Sequence, residues 1–239
     1  MNKQKKEENM RLSKRLQAVA DTITAGNRVA DVGCDHAYIS IYLIRNDIAP
    51  SVIAMDVNKG PLLRASENIN YYGYGSRIET RLSDGLHQLK PGEADTILIA
   101  GMGGALTVRI LKEGLNAVRK CSELVLQPQS EIFLVRRFIH KIGFSIKSEQ
   151  MVKEDGKYYF IMRAEPGTQN YEREIHYQFG KLLLEQKEPL MLEYLMRECR
   201  ILNDVLVELK AVPTKKTEAR LKEVNKSLAY IREALAYFE

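Results

Sequence analysis

Three carboxylates stand at or just past the ends of three short strand-like runs. Asp31 lies in Arg28-Val-Ala-Asp-Val32, Asp56 closes Ser51-Val-Ile-Ala-Met-Asp56, and Asp84 follows Arg77–Leu82 in Ser83-Asp84-Gly85. The first run opens into Gly33-Cys34-Asp35-His36-Ala37. A glycine there lets the backbone approach a ligand, and a helix start beyond it offers free N–H groups. Asp56 comes about twenty residues after that turn, where an acidic side chain can hold ribose hydroxyls. Acids at three successive strand ends suit a ligand with a ribose, an amino-bearing base and a cationic group. A dinucleotide fits poorly, because Asp35 stands where the second glycine of G-x-G-x-x-G should be. A carboxylate repels a pyrophosphate and attracts an ammonium or sulfonium. No Walker lysine follows the turn either. Electrostatics therefore favours S-adenosyl-L-methionine, with S-adenosyl-L-homocysteine as its product.

A second glycine-bearing segment, Ala100-Gly101-Met102-Gly103-Gly104, follows the run Thr96–Ala100. It is expected to meet a flat methyl acceptor through Gly101, Met102 and Gly103, with no acid or base assigned. Gln127-Pro-Gln129 ends the next apolar run, and its amides could bond base edges or backbone. Cys34 has no neighbour that would make it a nucleophile. His87, His140 and His176 stand singly and carry no expected chemistry.

These residues need a frame that gathers strand ends. The spacing predicts an amphipathic helix over 10–24, strands at 28–32, 51–56, 77–82, 96–100 and 123–127, and helices at 36–45, 61–71, from about 105, and at 131–141. Asn58 is a possible N-cap for the second of these helices, with Pro61 in its first turn. A pair of strands, 144–151 and 157–163, is expected around Glu154-Asp155-Gly156. Strands alternating with helices describe an open, mostly parallel α/β sheet that binds ligands beyond its carboxyl ends. Residues 164–172 read as a linker. Beyond it, Leu192, Leu195, Cys199, Leu202, Leu206 and Leu209, then Leu221, Val224, Leu228, Ile231 and Leu235, recur at heptad spacing on either side of Val212-Pro213-Thr214. That pattern predicts an antiparallel coiled-coil hairpin. The expected domains are 1–167, a Rossmann-like unit with an N-terminal helical arm, and 168–239, all helix.

Composition narrows the class. The chain has 239 residues, 45% hydrophobic and 28% charged, which excludes collagen-like and low-complexity chains. The stretch Ile97–Leu106 is too short to span a bilayer. Three scattered cysteines without metal-ligand spacing suggest a reducing compartment, no disulfide framework and no metal. The charged opening residues do not resemble a secretory signal, so a cytoplasmic protein is expected. The net charge of +5 is uneven. Residues 1–19 carry six basic side chains against two acidic, 20–108 seven against ten, and 109–163 eleven against six. Two basic blocks flanking an acidic one could attract a polyanion, since Lys and Arg contacts to phosphates release counterions. The residues leave the oligomeric state open, with a monomer favoured.

Taken with Arg11-Leu-Ser-Lys-Arg-Leu16, Val29–Tyr38, Ala54–Asn58, Ser83–Leu86, Ile99–Gly104, Leu126–Gln129 and the terminal hairpin, the chain resembles the TrmK family of bacterial tRNA (adenine-22-N1)-methyltransferases. The resemblance implies a Rossmann-like domain that binds S-adenosyl-L-methionine and methylates N1 of adenine 22 in the tRNA D-arm. It implies Asp31, Gly33, Cys34, Asp35, His36 and Ala37 at the methionine end, Asp56 and Val57 at the ribose, and Asp84 and Gly85 near adenine. Gly101 would meet the target base. Arg11, Lys14, Arg15, Arg136 and Arg137 would hold RNA phosphates, with Gln127 and Gln129 also on the RNA side. Two other readings stand beside this one: a methyltransferase for another RNA or a small molecule, and a non-catalytic RNA-binding protein with the same fold.

Overall fold

The computed structural model describes residues 11–211 and 215–239. The basic arm before Arg11 and the expected Val212-Pro213-Thr214 turn lie outside the described residues. The chain divides into two compact units, the first ending at Gln169 and the second running from Asn170 to Glu239.

In the first unit, α1 (Lys14–Asp21) leads into β1 (Val29–Val32), α2 (Tyr38–Arg45), β2 (Val52–Asp56), α3 (Lys59–Tyr72) and β3 (Ile78–Leu82). Then follow β4 (Thr96–Met102), α4 (Gly104–Glu113), α5 (Leu115–Val118), β5 (Glu123–Pro128), α6 (Ile132–Lys141), β6 (Phe144–Glu154) and β7 (Lys157–Pro166). The seven strands order as β3-β2-β1-β4-β5-β7-β6. β1 to β5 run parallel, and β7 enters antiparallel to both β5 and β6. The strand order reverses between β1 and β4, and a sheet of this kind opens its ligand crevice at such a reversal. β1 and β5 are buried along their whole length, as near-continuous apolar strands covered on both faces must be.

α1 starts at Ser13, whose hydroxyl accepts the Leu16 N–H, and it buries Val19 and Ala20. Its far end is tied to β6, where the Gln150 amide donates to Ala18 O at 3.0 Å. α3 starts two residues earlier than its spacing predicts, and Asn58 makes no side-chain cap. The Asn58 backbone N–H instead donates to Asp56 Oδ1 at 2.8 Å. β7 runs on to Pro166, so the first residues of the expected linker are strand.

In the second unit a π-helical turn (His176–Gly180) and α7 (Lys181–Glu185) precede two long helices, α8 (Pro189–Ala211) and α9 (Lys215–Leu235), which pack together. Their seam buries Met191, Leu195, Val224, Leu228 and Ile231, at the predicted heptad positions for all but Met191. Arg173 pairs with Glu233 at 2.7 Å, and His176 Nε2 lies 2.8 Å from the Tyr237 hydroxyl. These contacts fasten the start of the unit to the end of α9. No helix among the described residues is long and apolar enough to cross a membrane.

Candidate active site

The turn after β1 is built from left-handed residues. Gly33, Asp35 and Ala37 have φ of 75°, 47° and 58°, a course that an L side chain adopts only at a cost of about 1–2 kcal/mol each. The backbone N–H groups of Gly33 and Cys34 both donate to Met55 O, at 2.8 and 3.0 Å, which pins the turn to the end of β2. The result is a sorting of charge. Asp31 is buried, its Oδ2 accepting from the Ser40 hydroxyl at 2.6 Å, while Asp35 points outward with its side chain 72% exposed. Burial pushes the Asp31 carboxyl up to about 6; the Ser40 bond pulls it down and the charge of Asp56 adds to the rise. Burial also raises the Cys34 thiol, with Asp31 and Asp56 adding to it. Cys34 is therefore an uncharged wall residue at neutral pH.

Two cavities of about 270 and 210 Å³ open here and share Gly33 in their lining. Neither alone reaches the roughly 300 Å³ at which small-ligand pockets begin. The first is lined by Arg15, Asp31, Asp35, His36, Gly101 and Gln129, among others. His36 stacks on Tyr38, with ring centroids 5.5 Å apart, and both rings wall this lobe. The second lobe has Asp56, Val57, Asp84 and Gly85 on one side and Met102, Leu106 and Ile110 on the other. It is acidic at its rim and apolar in its walls, as a ribose with a flat base requires. Between the lobes Gly33 takes a left-handed φ of 75°, and a Cβ there would have to push aside the flexible end of Met102. The donor set suits an adenosyl amino acid lying across Gly33, with its nucleoside in the second lobe and its charged end in the first.

Arg15 is the surprise of the first lobe. Its Nη1 donates to Gln127 Oε1 at 2.7 Å, its guanidinium lies 5.3 Å from the Tyr159 ring centroid, and its backbone N–H donates to Glu154. Fully buried Gln127 thus aims a cation into the cavity.

Residues 12–162 match the family model described as a methyltransferase domain. A tRNA (adenine(22)-N(1))-methyltransferase of Bacillus subtilis (strain 168) is 33% identical over 95% of this chain and 98% of its own length. The chain belongs to the TrmK family. A Streptococcus pneumoniae TrmK relative solved with S-adenosyl-L-methionine superposes with a TM-score of 0.85 at 31% identity, covering 94% of this chain and all of that one. TrmK of M. capricolum, solved with S-adenosyl-homocysteine, gives 0.84 at 28% identity, covering 95% and 99%.

Against what the TrmK resemblance implies, the structure gathers Asp31, Gly33, Cys34, Asp35, His36 and Gly101 around one lobe and Val57, Asp56, Asp84 and Gly85 around the other. Ala37 is fully buried and closes the turn from behind. Three expectations are corrected. Met102 does not face the acceptor side, because β4 continues through it after a register shift at Gly101, turning its side chain onto Gly33 in the second lobe. Gly103 lies between β4 and α4, as the N-cap of that helix. Arg136 is no phosphate contact: its side chain is fully buried, its Nε donates to Glu149 Oε1 at 2.8 Å, and its guanidinium faces the Phe160 ring. It lies on the face of α6 that also buries Val135 and Ile139. Gln127 is buried too, and serves Arg15 instead of RNA. Arg11, Lys14 and Arg137 are exposed. Asp84 lines the second lobe and also accepts from Arg109 Nη2 at 3.1 Å, a partner that residue spacing does not suggest. Among the described residues no group of three or more His, Cys, Asp or Glu side chains could hold a metal ion.

Proposed function

We propose that this protein methylates N1 of adenine 22 in tRNA with S-adenosyl-L-methionine as methyl donor. The observation that carries this reading is the match, along almost the whole of both chains, to an enzyme of that activity. The two-lobed cleft supports it with chemistry. S-Adenosyl-L-methionine supplies an electrophilic methyl on a cationic sulfur. Asp31 and exposed Asp35 are placed for its ammonium group, Arg15 for its carboxylate, Asp56 for the ribose hydroxyls, and Asp84 for the adenine rim.

Adenine N1 carries an in-plane lone pair that is unprotonated at neutral pH, so attack needs no prior deprotonation. Rate enhancement then comes from aligning N1 with the methyl carbon and excluding water. N1 lies on the pairing edge, so the base must be unpaired or flipped, at a cost of a few kcal/mol. Arg11, Lys14 and Arg137 are exposed where phosphate contacts could supply it. Such an enzyme works in the cytoplasm, with tRNA.

The test is to incubate the protein with S-adenosyl-L-methionine and unmodified tRNA transcripts and map modification by reverse transcription. A cofactor-dependent stop at one D-arm adenine is expected. Cofactor binding without that stop on any transcript would overturn the assignment.

A further inference from the structure

Resting on that reading, we propose that Gln129 is the residue that recognises the target base, gripping the N6 and N7 edge of the flipped adenine while N1 stays open to the methyl. Three observations lead there. First, Gly101 at the carboxyl end of β4 is exposed with φ +80°, and it lines the first lobe. A Cβ added there would lie 3.7 Å from Arg15 Nη1 and 3.7 Å from Gln129 Nε2. Gly101 is thus the floor of a notch with one polar head on either side. Second, the two heads differ in freedom. Arg15 is held by Gln127 and Tyr159, whereas the exposed Gln129 amide makes no hydrogen bond within the described residues. Its backbone is nevertheless fixed, with the Gln129 N–H donating to Met102 O at 2.8 Å. Third, the two heads differ in charge. Methylation at N1 makes the base cationic, so a guanidinium is the wrong partner for it and a neutral amide is acceptable.

An amide matches adenine at one edge in particular. Its Oε1 accepts from the N6 amino group and its Nε2 donates to N7, the bidentate pairing by which Gln reads adenine. Guanine offers two acceptors along that edge and leaves Oε1 without a partner. The grip also favours the reaction itself. As N1 gains its methyl, positive charge spreads to N6, and the N6–H bond to Oε1 strengthens in the transition state. The base would stand between this amide and the His36–Tyr38 pair that walls the same lobe.

The experiment pairs a protein change with a base change. Wild type, Gln129→Ala and Gln129→Glu are assayed on ligated tRNAs carrying adenosine or 7-deazaadenosine at position 22, reading kcat/KM under single turnover. Gln129→Ala is expected to lose about ten- to a hundredfold on adenosine, the range of one bidentate base contact. Wild type is expected to lose part of that on 7-deazaadenosine. Gln129→Ala should be indifferent to the deaza change, having no donor to N7, and Gln129→Glu should favour 7-deazaadenosine, because its carboxylate and N7 are both acceptors. S-Adenosyl-L-methionine affinity and the unfolding midpoint of Gln129→Ala should match wild type. The proposal is overturned if the protein and base effects multiply independently, if Gln129→Ala keeps wild-type kcat/KM, or if its cofactor affinity falls in parallel. If wild type leaves adenosine 22 unmethylated, the proposed function itself falls and the inference with it, an outcome visible before any variant is made.

Discussion

The two ends of the parallel sheet are made from the same residue types and put to opposite use. At the amino ends, Arg28 grips Asp95 through its backbone N–H, Nε and Nη2 at 2.7–3.0 Å. Buried Glu123 accepts from the Thr24 and Thr96 hydroxyls and from Arg163. Every charge there has a partner, and the charges serve to close the structure. At the carboxyl ends, Asp56 answers a backbone N–H, Asp31 the hydroxyl and backbone N–H of Ser40, and Arg15 a neutral amide. Asp84 pairs with Arg109, but these three ionic groups are given neutral partners, which leaves their charge available to a ligand. The difference teaches where to look in a fold of this kind: not for charge, but for charge whose counter-ion is missing.

The comparison can be broken most sharply at Gly33. Gly33→Ala puts a side chain on a left-handed backbone and against the flexible end of Met102, and S-adenosyl-L-methionine affinity should fall about tenfold by calorimetry. A variant that binds as wild type would show that no ligand crosses between the lobes. At the other end, Glu123→Ala should cost about 2–3 kcal/mol in denaturant unfolding. The folded fraction should bind cofactor normally, and a lost affinity would erase the distinction between the two ends.

A pH titration sharpens the contrast through Asp31. Its carboxyl is raised to about 6, so it is ionised at pH 7 and increasingly protonated below 6. Cofactor affinity should therefore weaken by up to about tenfold per pH unit below that point, with Asp31→Asn removing the dependence. Stability should move the other way. The native state holds this proton more tightly than the unfolded chain, so the Asp31 contribution declines as pH rises from about 4 to 6. The smallest effect is expected at the Asp84–Arg109 pair, which is about half exposed on both sides. Arg109→Ala should change cofactor affinity by less than about threefold, as surface ion pairs do.

The sheet was legible because four of its first five strands are short apolar runs, β3 being the polar one, and the acids at strand ends fall where the ligand must lie. Other features depended on contacts that spacing does not encode. β4 bulges at Gly101, and one extra residue there sends Met102 to the other side of the cleft. Gln127 and Gln129 look equivalent at two-residue spacing, yet the first lies inside β5 and the second just past its end. Arg136 reads as surface charge until Glu149, on a strand still to come, is found beneath it. At four residues α5 is too short for any helical period to show. Arg15 was assigned to phosphates because nothing near it in sequence announces Gln127 or Tyr159.

Those partners of Arg15 carry a consequence for the order in which the protein can be made. β1 through β5 with their helices need only the first 128 residues, but Tyr159 and Glu154 belong to the last hairpin of the sheet, 139 residues beyond Arg15 in the case of Glu154. Loops of that length are closed late, after local contacts have formed. A nascent chain can therefore complete most of its nucleoside lobe and seat Arg15 on Gln127 while the Tyr159 ring beside that guanidinium is still missing. Until β7 has left the ribosome, the growing protein holds an unfinished binding site.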